Sequence, residues 1–215
     1  MATPVIPYRT SGAERVGAIL IGVGVVQFVA AMAWVQTAYS NYSLLQNYIS
    51  DLGNTVTSPL HGVFNVSIIL FGVLAILGIL LAWGAFPPSG TRPVGLPLLL
   101  IASVAAILVG LYPENVNSGV HDLASLVIFL AAGLAIAILA GGMRAGTPWS
   151  SLRWVSLVLG LITLGSLAYY APTQISNTTF DPGLIERLIV VPILLWALCA
   201  MVVILRLPSR PRLAI

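Results

Sequence analysis

Six long apolar runs, at residues 16–39, 62–83, 94–112, 121–141, 152–170 and 184–205, are separated by short polar gaps. Each is close to the ~20 residues that an α-helix needs to cross the hydrocarbon core of a bilayer. Hydrophobicity inside the runs is continuous rather than alternating, which suits helices and not barrel strands. The pattern predicts an all-α polytopic membrane protein, a bundle of six transmembrane helices with residues 1–215 forming a single transmembrane domain. His61 and His121 open the second and fourth runs, and Asp181 stands at the next step of the same period, so the bundle reads as three tandem helical hairpins.

The gaps carry local signals. After the first run, Leu44, Leu45, Tyr48, Ile49 and Leu52 recur at helical spacing opposite Ser43, Gln46, Asn47, Ser50 and Asp51, and Gly53 follows as a stop. This predicts a short amphipathic helix at the outer interface. Asp181-Pro182 predicts an N-cap and first turn for the sixth helix. Gly133, Ala137 and Gly141 form a small-residue ladder for close helix packing. Trp83, Trp149 and Trp154 fall at run ends, as interface anchors do, whereas Trp196 lies deeper and is expected inside the bundle.

Composition agrees with a lipid environment. The chain is 59% hydrophobic and 7% charged, where a soluble domain is about a quarter charged. The nine basic residues are all arginine. In a six-span arrangement Arg9, Arg15, Arg92, Arg144, Arg153, Arg206, Arg210 and Arg212 fall on one side and Arg187 alone on the other. Loops rich in arginine are retained in the cytoplasm, which predicts a multi-pass cell-membrane protein with both termini cytoplasmic. Arginines scattered singly at helix ends make no phosphate-tracking patch, so the expected partner is the lipid bilayer and not nucleic acid. Cys199 has no second cysteine with which to form an intrachain disulfide.

The opposite, outer side holds His61, His121, Asp51, Glu114, Asp122, Asp181 and Glu186. Ionisable groups beside hydrocarbon are costly and tend to pair or to serve a function. His61 with Asn65, and His121 with Ser125, are one helical turn apart. Convergence of the helix ends would give an outward-facing polar pocket with His61, His121 and Asp51 as the catalytic or metal-ligating set. Asn47, Ser50, Asn65, Asp122, Ser125, Glu186 and Arg187 would line it as ligand-binding residues, Arg187 paired to Asp51 or Asp122. Two histidines and a carboxylate could hold zinc and activate water for hydrolysis. Two histidines could instead ligate a b-type haem, a poorer fit because both stand at helix ends. A third use is binding of an amphiphilic, lipid-like ligand through its charged head. The alternative is a non-enzymatic structural or partner-binding membrane subunit. Transport ranks last, since no Asp, Glu, Lys or Arg lies mid-span.

Several short motifs carry a resemblance. Residues 45–53 with Asn47 and Ser50-Asp51-Leu52-Gly53, then Phe64-Asn65, Pro113-Glu114 with His121, and Gly183-Leu184-Ile185-Glu186-Arg187 together resemble the bacterial and archaeal six-helix membrane family called domain of unknown function 998. The resemblance covers nearly the whole chain. It implies a six-helix fold with a polar outer site at these positions, and no particular activity. More distantly the chain resembles membrane hydrolases that take Ser, Asp and His from helix ends, but its two histidines are too few for their three-histidine zinc site.

Overall fold

The computed structural model describes residues 8–176 and 178–210. Arg212 lies outside the described residues. Six helices form, α1 Gly12–Ala38, α2 His61–Ala82, α3 Arg92–Leu111, α4 Ser118–Ala140, α5 Ser150–Ile175 and α6 Pro182–Arg206. All six are long and apolar enough to cross a membrane. The protein is a six-helix membrane bundle.

Each helix packs on its neighbours in chain order, and α6 closes back on α1. The result is a ring around a central axis. Helices that are apolar all round suit such a ring, because one face meets protein and the other meets lipid. In α1, Ala18, Ile21, Val25 and Phe28 are buried while Val16, Ile19, Val23 and Val26 stay exposed. Lipid supplies no hydrophobic drive between helices, so contact depends on small residues that let backbones approach. Gly17 of α1 and Gly78 of α2 face one another so closely that a Cβ on either would collide with the other's carbonyl oxygen. The ladder on α4 serves the same end, since a Cβ on Gly160 of α5 would press against Ala137 and the Gly133 carbonyl.

At one end of the bundle the arginines gather. Ser11 and Glu14 form a capping box at the start of α1, and Arg210 bridges to the Glu14 carboxylate at 3.2 Å. Arg15 donates to the Leu207 carbonyl at 3.2 Å, so the two ends of the ring are pinned together. Trp154 is exposed here, but Trp149 is not the interface anchor its position suggests: it is fully buried and stacks on Phe86, ring centroids 5.1 Å apart. Trp196 packs inside as expected, donating to Ser156 Oγ at 2.8 Å.

The acidic end departs from expectation in one element. Residues 43–53 form no amphipathic α-helix; there is a turn at residues 44–46 and then a 3-10 helix, Ser50–Gly53. Polar side chains take the backbone groups that a helix would need. Asn47 Oδ1 accepts from the Ser43 N–H at 3.0 Å, and Asp51 Oδ2 accepts from the Tyr48 N–H at 2.9 Å and from Asn47 Nδ2 at 3.1 Å. Ile49 and Leu52 are buried, whereas Leu44 and Leu45 remain exposed. Asp181 does precede α6, yet it adopts φ 43° and makes no capping bond. Its carboxylate instead accepts from Gln46 Nε2 at 2.6 Å.

Candidate functional site

The segment 43–53 lies across the acidic end, and the start of α6 holds it. Gly183 makes this approach possible, because any Cβ there would overlap the Asn47 carbonyl. The Leu184 N–H donates to the Leu45 carbonyl at 3.2 Å, and the Glu186 carboxylate accepts from the Ile49 N–H. Arg187 donates to the carbonyls of Asn47 at 2.9 Å and Gly183 at 2.8 Å, and to the Tyr42 hydroxyl at 2.6 Å. Its guanidinium also lies 5.6 Å from the centre of the Tyr42 ring. Burial pushes the Tyr42 phenol up, against the opposing pull of Arg187, so it stays neutral and its O–H donates to the Tyr48 carbonyl at 2.9 Å. From α2, Asn65 Nδ2 donates to the Gly53 carbonyl at 3.0 Å. From α5, Gln174 Oε1 accepts from the Tyr48 hydroxyl at 2.8 Å.

Beneath this cover, between α4, α5 and α6, is a cavity of about 300 Å³. Tyr48 and Ser50 roof it. Glu114, His121, Asp122, Ser125, Tyr170, Gln174 and Glu186 supply its polar lining, with Leu126, Phe129 and Leu167 on the hydrocarbon side. His121 is 5% exposed and Glu186 7%. The His121 ring is oriented by Nδ1, which donates to the Tyr112 carbonyl at 3.0 Å. A carbonyl can only accept, so that bond requires a proton on Nδ1, and Nε2 makes no hydrogen bond to another described residue. Glu114 stands in the α3–α4 connection, where burial pushes its carboxyl above the usual range; His121 pulls it down, and Asp122 and Asp51 push it further up.

Residues 22–203 match the family described as "Protein of unknown function (DUF998)". The chain belongs to that family. No curated protein and no solved structure matches it. In this DUF998 chain the short motifs that carry the resemblance meet in space. The Gly183 to Arg187 stretch grips residues 45–53, Asn65 holds the far end of that segment, and Glu114 and His121 reach the cavity below it.

The expected residues thus divide. Ser50, His121, Asp122, Ser125 and Glu186 line one cavity. Asn47, Asp51, Asn65 and Arg187 build its cover. The partner of Arg187 is not Asp51 or Asp122: its donors meet neutral oxygens, and Asp51 caps the turn at Tyr48. His61 is absent from the lining, and its Nδ1 bonds to the Ser58 carbonyl at 2.9 Å. Among the described residues no three His, Cys, Asp or Glu side chains group so as to hold a metal ion. The donors His61, His121 and Asp51 therefore do not fit a zinc centre. Sequence reasoning left out Tyr48, Glu114, Tyr170 and Gln174 as site residues. Glu114 had a signal in its Pro-Glu motif beside His121, whereas Tyr48 read as part of the apolar face of residues 44–52, and Tyr170 and Gln174 carried no signal.

Proposed function

We propose that this protein binds an amphiphilic, lipid-like ligand, with the ligand's head in the cavity beneath segment 43–53. The observation that supports this most directly is the mixed lining. A roomy site with few polar groups converging from one side and apolar walls on the other is the usual form of a small-molecule pocket. Ser125, His121 and Glu186 supply the polar side, and Leu126, Phe129 and Leu167 the wall. Leu126 is also 42% exposed on the lipid-facing surface of α4, which favours entry sideways from the bilayer. The arginine distribution favours a cell-membrane protein with this end facing outward. Binding is the reading we adopt, because the donor set does not gather a metal and hydrolysis has no other observation behind it.

A second reading, a structural or partner-binding subunit, draws support from the cover. Arg187, Asn65, Asn47 and Asp51 are all consumed in holding residues 43–53, which is work that a purely architectural protein would also need. Mass spectrometry of the chain released intact from mild detergent separates the two. An amphiphile retained at one per chain is expected, and Ser125→Phe, which fills the cavity, should remove it. A wild-type chain free of any retained or exchangeable amphiphile would overturn the binding reading in favour of the structural one.

A further inference from the structure

We propose that the ligand is a cationic single-chain amphiphile, its ammonium head among the carboxylates of the cavity and its tail running down the axis of the helix ring. This rests on the binding reading above and specifies its chemistry. The head is argued from charge. Glu114, Asp122 and Glu186 face one basic side chain, His121, in the lining. Arg187, the cation that would hold a phosphate or carboxylate head, is outside the lining and its guanidinium is committed to three neutral oxygens. An anion in this cavity would meet the buried Glu186 and the exposed Glu114 and Asp122 without a fixed counter-charge, an unfavourable pairing of like charges. Acidity alone would not define a site. Here, however, His121 is more than nine-tenths buried, its Nδ1 is taken by Tyr112, and its ring lines the cavity with Nε2 making no hydrogen bond to another described residue. An alkylammonium carries N–H donors and no acceptor, so it matches a lining whose carboxyl oxygens outnumber its cations. The Tyr170 and Phe129 rings in the same lining suit a cation as well.

The tail is argued from the adjacency of three cavities along the ring. The polar cavity shares Ser50, Ser125, Phe129 and Glu186 with an apolar void of about 60 Å³ on the ring axis. That void shares Phe71, Ile128 and Ile193 with a third, of about 70 Å³, whose floor includes Phe86 and Trp196. Each of these two voids is smaller than the single dry cavity of about 150 Å³ that takes up benzene, so a tail reaching both would have to part the side chains they share. Phe86 stacks between Trp149 and Trp196, so the floor is rigid and limits tail length.

Calorimetric titration of the full-length chain in nanodiscs tests this, using n-alkylamines, n-alkyl phosphates and n-alkanols of matched length. Amines are expected to bind saturably and at least about tenfold more tightly than phosphates, with affinity rising with chain length and then levelling off. Glu114→Gln, which leaves the cover untouched, should weaken amines about tenfold and phosphates little. Ala132→Leu, filling the lowest void, should shorten the preferred amine. Phosphates binding as well as or better than amines would overturn the cationic head, and alkanols binding as well as amines would do the same while leaving an amphiphile pocket standing. Amines whose affinity ignores chain length would overturn the axial tail. Failure of all three series would sink both this inference and the binding reading.

Discussion

Glu186 and Arg187 are neighbours in sequence and act on the same stretch of backbone in opposite senses. The carboxylate accepts from the Ile49 N–H, and the guanidinium donates to the Asn47 carbonyl. A helix places successive residues about a quarter-turn apart, so the pair can reach two points on one segment without meeting each other. Arginine suits its position because a planar fork can serve two carbonyls and a phenol at once, which a lysine ammonium cannot do in that geometry. Glu114 has no such hold, and burial leaves its proton bound more tightly than in an unfolded chain. A carboxyl raised in this way contributes stability that is fully present below its unfolded pKa of about 4.3 and is lost as pH rises through the folded value. Thermal midpoints in detergent between about pH 4 and pH 8 should therefore fall less steeply for Glu114→Gln than for the natural chain. Parallel profiles would mean that the carboxyl is solvated like any surface acid.

The decisive contact at the scale of elements is the docking of residues 43–53 on the first turn of α6. It is made mostly of backbone groups, so it depends on distance more than on side-chain identity, and Gly183 sets that distance. Gly183→Ala would push the Asn47 carbonyl away, loosening the bonds from Leu184, Glu186 and Arg187 together. A loss of about 1–3 kcal/mol is expected, as for other overpacked contacts, read as a lower thermal midpoint and faster proteolysis within residues 43–53. Unchanged protection of the segment would show that the interlock is dispensable. The same element marks the boundary of what the sequence reveals. The six helices were legible because lipid forces every long apolar run to satisfy its own backbone bonds, and they agree with expectation to within a few residues. Residues 43–53 were not, because Ser43, Asn47 and Asp51 at helical spacing look like a polar face. They are in fact competitors for the backbone. His121 and Glu186 stood out in the sequence from their cost beside hydrocarbon, and both line the cavity, but the absence of His61 from that lining goes with local bonding to Ser58 that no spacing rule contains. Trp149 was misread for a similar reason, since being near a run end says nothing about which way a ring points.

The two ends of the whole molecule are chemically unlike. Arg9, Arg15, Arg92, Arg144, Arg153, Arg206 and Arg210 belong to one end of the bundle, and Asp51, Glu114, Asp122, Asp181 and Glu186 to the other. An inserting chain keeps arginine-rich connections in the cytoplasm, since moving each guanidinium through hydrocarbon costs roughly 2.5–3.5 kcal/mol on insertion scales. Seven against one, with Arg187 held at the acidic end, leaves little competition between orientations. This distribution predicts that both ends of the chain face the cytoplasm and the cavity faces outward, so that the ligand proposed above would arrive from the outer leaflet. Single cysteines placed in a Cys199→Ala background can read this directly. Thr55 and Thr178 are exposed at the acidic end, and Gly90 is exposed in the α2–α3 connection with open space around it. Gly90 is a better position than its neighbour Ser89, which is half-buried and hydrogen-bonded to Thr91 at 2.8 Å. A membrane-impermeant maleimide applied to intact cells should label Thr55→Cys and Thr178→Cys, and should label Gly90→Cys only after the membrane is opened. The reverse pattern would place the cavity on the cytoplasmic side. Its geometry would survive that result, but the source of its ligand would move to the inner leaflet, and the arginines would have to be explained as ties between helix ends, as Arg15 and Arg210 already are.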